Sequence, residues 1–296
     1  MIYCYGVTAI SLIYRLKWDF PKANGYGEII DEAENIGGEA VGTAMCLARF
    51  GHKVALDGLK VSRRGMGKRV FKKLSRLGIN ASRIKSSQLK IGAVEAVYSD
   101  KTSRSVFANY VQTFADTSNQ NRPSAVLIKK AVHVTIDPFL KADSALAARL
   151  ARQYETPYSL MDLHHNNSAI PAAASVILSG DFLGQFYKRK NIKQLFRLYA
   201  SRMSGLLILT QGSKAVWYGR KGGPVRKFKP FSVKVKDTTG AGDAFRAGVI
   251  HGLVSGWPDS KIISFASALA AMICQTFPGC MNGPSLEQVE KFEGKR

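Results

Sequence analysis

The sequence predicts an α/β fold in which a mostly parallel central sheet is covered by helices on both faces and carries a small β flap. Three observations predict it. From residue 132 onwards, short apolar runs alternate with helix-patterned stretches, the order that builds parallel sheets. Residues 18–35 and 91–111 break this rhythm with short apolar pieces among Pro21, Asn24, Gly25 and Gly27 and around Asp100-Lys101-Thr102, and read as a lid. The 296 residues contain no repeat, low-complexity tract or linker, so one domain over 1–296 is the simplest architecture.

Taken in order, residues 2–9 form the first strand, with a polar break at Ser11. The apolar start, 1–14, lacks a basic region and a small-residue cleavage site, so it reads as a buried strand and not a leader. Residues 39–50 carry Ala40, Ala44, Leu47 and Ala48 at helical spacing, with Gly51 to end the helix. A short strand at 54–56 precedes a helix over 67–77. Its Val70, Phe71, Leu74 and Leu77 point inward and Arg69, Lys72, Lys73 and Arg76 outward. Residues 91–98 and 105–111 pair as a hairpin. Strands follow at 132–136, 158–162, 175–178 and 206–210, with helices at 141–153 and 182–199 between them. Residues 216–219 and 225–235 pair across Gly222-Gly223-Pro224, and helices at 244–255 and 260–274 close the core.

Composition narrows the class. Lys and Arg number 43 against 21 Asp and Glu, a net charge of +22, which speaks to solubility and non-specific partners and not to fold. Cys4, Cys46, Cys274 and Cys280 are scattered without a C-x-x-C pair, as in a reducing compartment. The longest apolar run, 262–274, is too short to span a bilayer. A soluble, cytoplasmic protein with no membrane partner is expected.

The most specific stretch is Asp237-Thr238-Thr239-Gly240-Ala241-Gly242-Asp243-Ala244-Phe245, set between a strand end at 233–235 and the helix from 244. Strand, glycine turn and helix make a nest of N–H groups at a positive helix end, suited to a phosphoryl group in transfer. A carboxylate there, Asp243, needs a task, and accepting a proton from an attacking hydroxyl is one. Gly-Ala-Gly-Asp alone is also an ordinary tight turn with an Asp cap; the nine-residue string is far more specific.

This string resembles the second signature of the ribokinase-like (PfkB-type) carbohydrate kinases, and the resemblance runs along nearly the whole chain. It implies a three-layer α/β/α fold with a lid, and ATP-dependent phosphorylation of a sugar hydroxyl with magnesium. Asp243 would be the base, and the N–H groups of Gly240, Ala241 and Gly242 the anion hole. Gly37-Gly38, opening a helix that ends Leu47-Ala48-Arg49-Phe50-Gly51, matches the family's sugar-side glycine pair. The chain departs from the family at three places: Ser11 stands for a sugar-gripping Asp, Gly42 for a sugar-binding Asn, and Ser62-Arg63-Arg64 for Gly-Asp-Asp. Arg63 and Arg64 read either as a solvated loop or as a cleft mouth attracting an anionic acceptor, such as a sugar phosphate or sugar acid. On the donor side Thr210-Gln211-Gly212 matches the family's Thr-x-Gly, and Ser179-Gly180-Asp181-Phe182 its Asn-x-x-Glu. Asp181 would be either a magnesium carboxylate or an N-cap. The resemblance further implies a monovalent cation (potassium) beside Asp237, an adenine and cation loop over 279–283 beginning at Gly279, and homodimers through the lid.

Other candidates are weaker. His164 and His165 would point to opposite faces of a strand and share no metal. The basic faces at Arg69, Lys72, Lys73 and Arg76, at Lys188-Arg189-Lys190, and at Arg226, Lys227 and Lys229 lack interleaved aromatics, so nucleic acid is not favoured as a partner. Two further readings stay open: a non-catalytic regulatory or nucleic-acid-binding protein on a kinase scaffold, and a kinase for a nucleoside or vitamin-like heterocycle.

Overall fold

The computed structural model describes residues 1–86, 88–89, 92–100 and 103–295. The first part of the chain runs β1 (Ile2–Gly6), β2 (Ala9–Leu16), β3 (Ile29–Gly37), α1 (Glu39–Arg49), β4 (Val54–Gly58), β5 (Val61–Ser62), α2 (Met66–Arg76), β6 (Lys85–Ser86), β7 (Val94–Ser99) and β8 (Arg104–Ala108). It continues through α3 (Tyr110–Ala115), α4 (Ala125–Lys130), β9 (His133–Ile136), α5 (Lys141–Gln153), β10 (Tyr158–Met161), β11 (Ser175–Leu178), α6 (Gly180–Phe186) and α7 (Ile192–Ala200). The last part is β12 (Leu206–Leu209), β13 (Val216–Gly219), β14 (Arg226–Phe228), α8 (Ala241–Val254), α9 (Asp259–Cys274) and α10 (Leu286–Glu293).

The large sheet has the order β14-β13-β12-β11-β10-β9-β1-β4 and is parallel from β12 to β4, with an antiparallel edge at β13 and β14. Strand β1 shows why both faces are covered. Tyr3 and Tyr5 enter one apolar cluster while Ile2 and Cys4, one residue out of phase, enter the other. The first cluster is closed by α4, α5 and α7, the second by α1, α2, α8 and α9. The expected mostly parallel α/β architecture is the one observed. Among the described residues no helix is long and apolar enough to cross a membrane.

A second, four-stranded sheet, β3-β2-β7-β8, forms the lid. It corrects the expectation of one strand ending at Ser11. The chain leaves the large sheet at Gly6, and Ser11 lies inside lid strand β2, paired with β3 and β7. A continuous apolar run looks like one strand, but the bend at Val7-Thr8 divides it between two sheets. The lid also extends beyond the expected 18–35 and 91–111, since β2 was not part of that expectation. The β7–β8 hairpin is present, with Ser99 opposite Arg104, although Ile91, Lys101 and Thr102 lie outside the described residues.

Two further boundaries differ. The helix expected over 182–199 is broken at 187–191, because Asn191 starts a new helix with a capping box to Gln194. The strand expected to run to Val235 stops at Phe228, before Lys229-Pro230, where proline has no N–H for a ladder. The segment before α8 is irregular.

Candidate active site

The parallel strands end on one side of the sheet, and the residues that follow them converge there. Val7 follows β1, Asp137 follows β9, Asp162 follows β10, Ser179 follows β11 and Thr210 follows β12. Ligands of such sheets bind outside the carboxyl ends of the strands. Beneath the lid lies a cavity of about 280 Å³. Ser11, Gly37, Gly38, Gly42, Gly240, Gly242 and Asp243 all line it, whereas Ala241, the third expected anion-hole residue, does not.

Gly240 sits at the N-cap of α8 with φ 80°, the left-handed region that favours glycine. The N–H groups of Gly240 and Gly242 make no hydrogen bond among the described residues, whereas the Ala241 N–H donates to the Thr238 carbonyl at 3.2 Å. Two of the three expected anion-hole donors are thus uncommitted. The Cys280 thiol, from the turn Gly279–Asn282, donates to the Gly240 carbonyl at 3.2 Å and fixes this corner.

Asp243 lies in the first turn of α8, facing α1. A side chain at Gly42 would meet it, since a Cβ there would fall 2.5 Å from Asp243 Oδ2. Gly42 therefore makes room for the carboxylate. Burial pushes the Asp243 carboxyl up to about 7, Asp137 and Glu95 adding to the rise while Arg246 and Arg104 oppose it. A carboxyl with a pKa near neutrality is matched to general-base work.

Behind Asp243 stands an ionic cluster that the sequence reading missed. Arg246, fully buried, donates to Asp137 Oδ1 at 2.6 Å and to Thr43 Oγ1 at 2.9 Å. Asp137 Oδ2 accepts from the N–H groups of Val7 (2.9 Å) and Ala40 (3.0 Å), so it caps α1 and ties β1, β9, α1 and α8 together. Glu39 also lines the cavity; its Oε2 is sealed and has no hydrogen-bond partner among the described residues. Burial pushes its carboxyl well above the usual range, with Asp137 adding to the effect. The available signal was Arg246, a charge inside an otherwise apolar helix three residues after Asp243.

Glu95 on β7, Arg104 on β8 and Tyr110 at the start of α3 also line the cavity. Ser11, expected to contact a sugar, is only 1 % exposed and donates its hydroxyl proton to Glu95. Arg63 and Arg64, expected near the cleft mouth, are exposed after β5 and do not line this cavity. Among the described residues the basic group in the cavity is Arg104.

The donor-side residues lie next door and outside the cavity lining. Strands β11 and β12 pair in register, and the Thr210 N–H donates to the Leu178 carbonyl at 2.9 Å. A Cβ at Gly180 would sit 3.4 Å from the Thr210 carbonyl, so Ser179–Asp181 and Thr210–Gly212 are neighbours. Ser179 is the N-cap of α6, accepting from the Phe182 N–H at 3.1 Å and donating to Asp162 Oδ2 at 2.8 Å. The capping alternative for Asp181 is therefore corrected: the cap is Ser179, and Asp181 is exposed in the first turn. Burial pushes the Asp162 carboxyl up, with the Asp181 charge contributing. His164 and His165 do not point apart as a strand would require. They lie in a loop, and both Nδ1 atoms reach the Tyr187 hydroxyl, at 3.3 and 2.9 Å. Asp237 is fully buried. Its Oδ1 accepts from the Thr239 N–H (2.9 Å) and hydroxyl (2.8 Å), while Oδ2 has no partner among the described residues. Gly279 packs against Thr239 on the same side of the loop.

A family model described as pfkB family carbohydrate kinase matches residues 1–285. The chain belongs to this family. Among curated relatives of this pfkB kinase is a 5-dehydro-2-deoxygluconokinase of Clostridium beijerinckii, 25 % identical over 87 % of this chain and 83 % of the relative. A shorter match, 47 % identical over 62 residues and 21 % of this chain, is to an uncharacterized sugar kinase of Dictyostelium discoideum. Among solved structures, Arabidopsis thaliana ribokinase complexed with ribose and ATP superposes with a TM-score of 0.79 at 16 % identity, covering 99 % of this chain and 98 % of that one. The pfkB kinase thus has the ribokinase fold.

Proposed function

We propose that this pfkB kinase transfers the terminal phosphoryl group of ATP to a hydroxyl of an anionic sugar derivative, with a sugar acid favoured over a sugar phosphate. The observation that carries the anionic class is Arg104. It lines the cavity that holds Asp243, acts electrostatically on Asp243, and forms no ion pair among the described residues. An unpaired guanidinium is suited to bidentate recognition of a carboxylate. A relative named 5-dehydro-2-deoxygluconokinase supports the same class, because a gluconate carries a carboxylate.

In this reading Asp243 accepts the proton of the acceptor hydroxyl as that oxygen bonds to the phosphorus and the bond to the departing ADP oxygen breaks. The Gly240 and Gly242 N–H groups face the charge on the group in transfer, where the positive end of α8 adds to them. Arg104 anchors the acceptor's anion, and the lid excludes water. Magnesium on the donor phosphates would supply charge neutralisation, held by Asp162 and Asp181; such ions need only one or two protein carboxylates. Asp237 Oδ2, buried beside the turn at 238–240 and without a partner among the described residues, fits a monovalent cation, which we assign as potassium. The lid's outer strand supports pairing of two copies through their lids.

The test is ATP consumption with magnesium and potassium against D-gluconate, glucose 6-phosphate, D-glucose, D-ribose and inosine. Arg104→Ala should raise KM for the anionic acceptor roughly 10- to 100-fold, with neutral acceptors unaffected. Turnover confined to neutral sugars, or an anionic KM that ignores this substitution, would refute the anionic class.

A further inference from the structure

Lid strands β2 and β7 run parallel with Ser11 directly opposite Glu95, and both side chains line the cavity that holds Asp243. Glu95 is held at both oxygens. Oε1 accepts from the Ser11 hydroxyl, and Oε2 accepts from the Tyr110 hydroxyl at 2.6 Å. Burial pushes the Tyr110 phenol well above its usual range, with Glu95 adding to the rise, so Tyr110 stays a donor to this carboxylate. Gly37 completes the arrangement: any side chain there would collide with Ser11 Oγ and Glu95 Oε1.

The hydrogen-bond count then decides what this wall can read. A carboxylate oxygen accepts about two hydrogen bonds, so each Glu95 oxygen retains about one free acceptor position. The Ser11 hydroxyl directs its one hydrogen to Glu95 and turns only lone pairs to the cavity. The wall therefore presents acceptors, which a ligand must match with donors. A polyol has hydroxyl donors at adjacent carbons; a carboxylate or phosphate placed here would meet like charge. Arg104, on the neighbouring strand β8, is the complementary group for an anion. Glu95 and Arg104 thus divide an acceptor into a hydroxyl-bearing part and a charged part.

We propose that Glu95, oriented by Ser11 and Tyr110, is a specificity-determining residue that accepts hydrogen bonds from hydroxyl groups of the acceptor sugar. The proposal deepens the kinase reading and rests on it for the identity of the acceptor. Ser11 and Tyr110 are positioning residues, acting through Glu95.

The experiment measures binding of D-gluconate and of its 2-, 3- and 4-deoxy counterparts to the protein without ATP, by calorimetry, for the wild type, Glu95→Gln and Glu95→Ala. The wild type should lose roughly 10- to 100-fold in affinity when the hydroxyl that Glu95 reads is removed. Glu95→Ala should bind D-gluconate and that deoxy counterpart with nearly equal affinity, so the two losses do not add. Glu95→Gln, closest in shape, guards against a folding failure and should discriminate in between, and Tyr110→Phe should weaken discrimination less than Glu95→Ala. Additive losses in Glu95→Ala, equal wild-type affinity for all four compounds, or no binding of any of them would overturn the assignment. Failure of the kinase reading looks different: D-gluconate and its analogues bind with the expected pattern, yet no acceptor consumes ATP.

Discussion

In the proposed reaction Asp243 is the base, and its titration gives the residue-scale prediction. Its carboxyl is pushed up to about 7, first by burial. The base must be ionised to accept a proton, so kcat/KM should be full above this pKa and fall as pH drops through about 7. A pH profile reads this directly, and a rate still flat down to pH 5 would remove Asp243 from the role of base. The identity of this residue was legible in the sequence because a nine-residue string marked it. Its surroundings were not. Glu39, Glu95, Asp137 and Arg246 come from four elements far apart in the chain, and no spacing rule connects them. Nor could the sequence say why Gly42 lacks a side chain; the answer is the 2.5 Å that a Cβ there would leave to Asp243.

At the scale of elements, helices with a clear apolar stripe were the easiest to read. Helix α2 buries Val70 and Leu74 and exposes Arg69, Lys72 and Arg76, as its pattern required. The lid was read only in part. Strand β2 was hidden because residues 2–16 form one nearly continuous apolar run that serves two sheets. The lid's outer strand β8 is largely exposed, with Val106 46 % and Phe107 56 % accessible, and Phe107 stacks with Phe20 and meets Tyr98 edge-on. An exposed apolar edge strand is a template for pairing. Sedimentation equilibrium at micromolar concentration should give twice the chain mass, and Phe107→Lys should shift it towards the monomer. A wild-type monomer under these conditions would contradict lid pairing.

At the scale of the whole molecule, the class followed from the order of elements, since strands alternating with helices leave few ways to cover a parallel sheet. The position of the site followed as well, because the strand ends that carry Asp137, Asp162, Ser179 and Thr210 share one side of that sheet. What the order of elements could not supply is selectivity. Glu95 and Arg104 reach the cavity only because the lid folds over the strand ends, a contact between distant parts of the chain. The net charge of +22 has no counterpart in this site, where carboxylates outnumber basic groups.

Asp243 as the base for phosphoryl transfer from ATP to a sugar acid can be tested in one experiment. The most direct measurement is the rate of ATP-dependent phosphorylation of D-gluconate by the wild type and by Asp243→Asn, with ATP binding followed in parallel. With Asp243 as base, the rate should fall roughly 10²- to 10⁴-fold in the variant, with ATP affinity nearly unchanged. Equal rates in the two proteins, or ATP bound by both with no sugar phosphorylated by either, would contradict it.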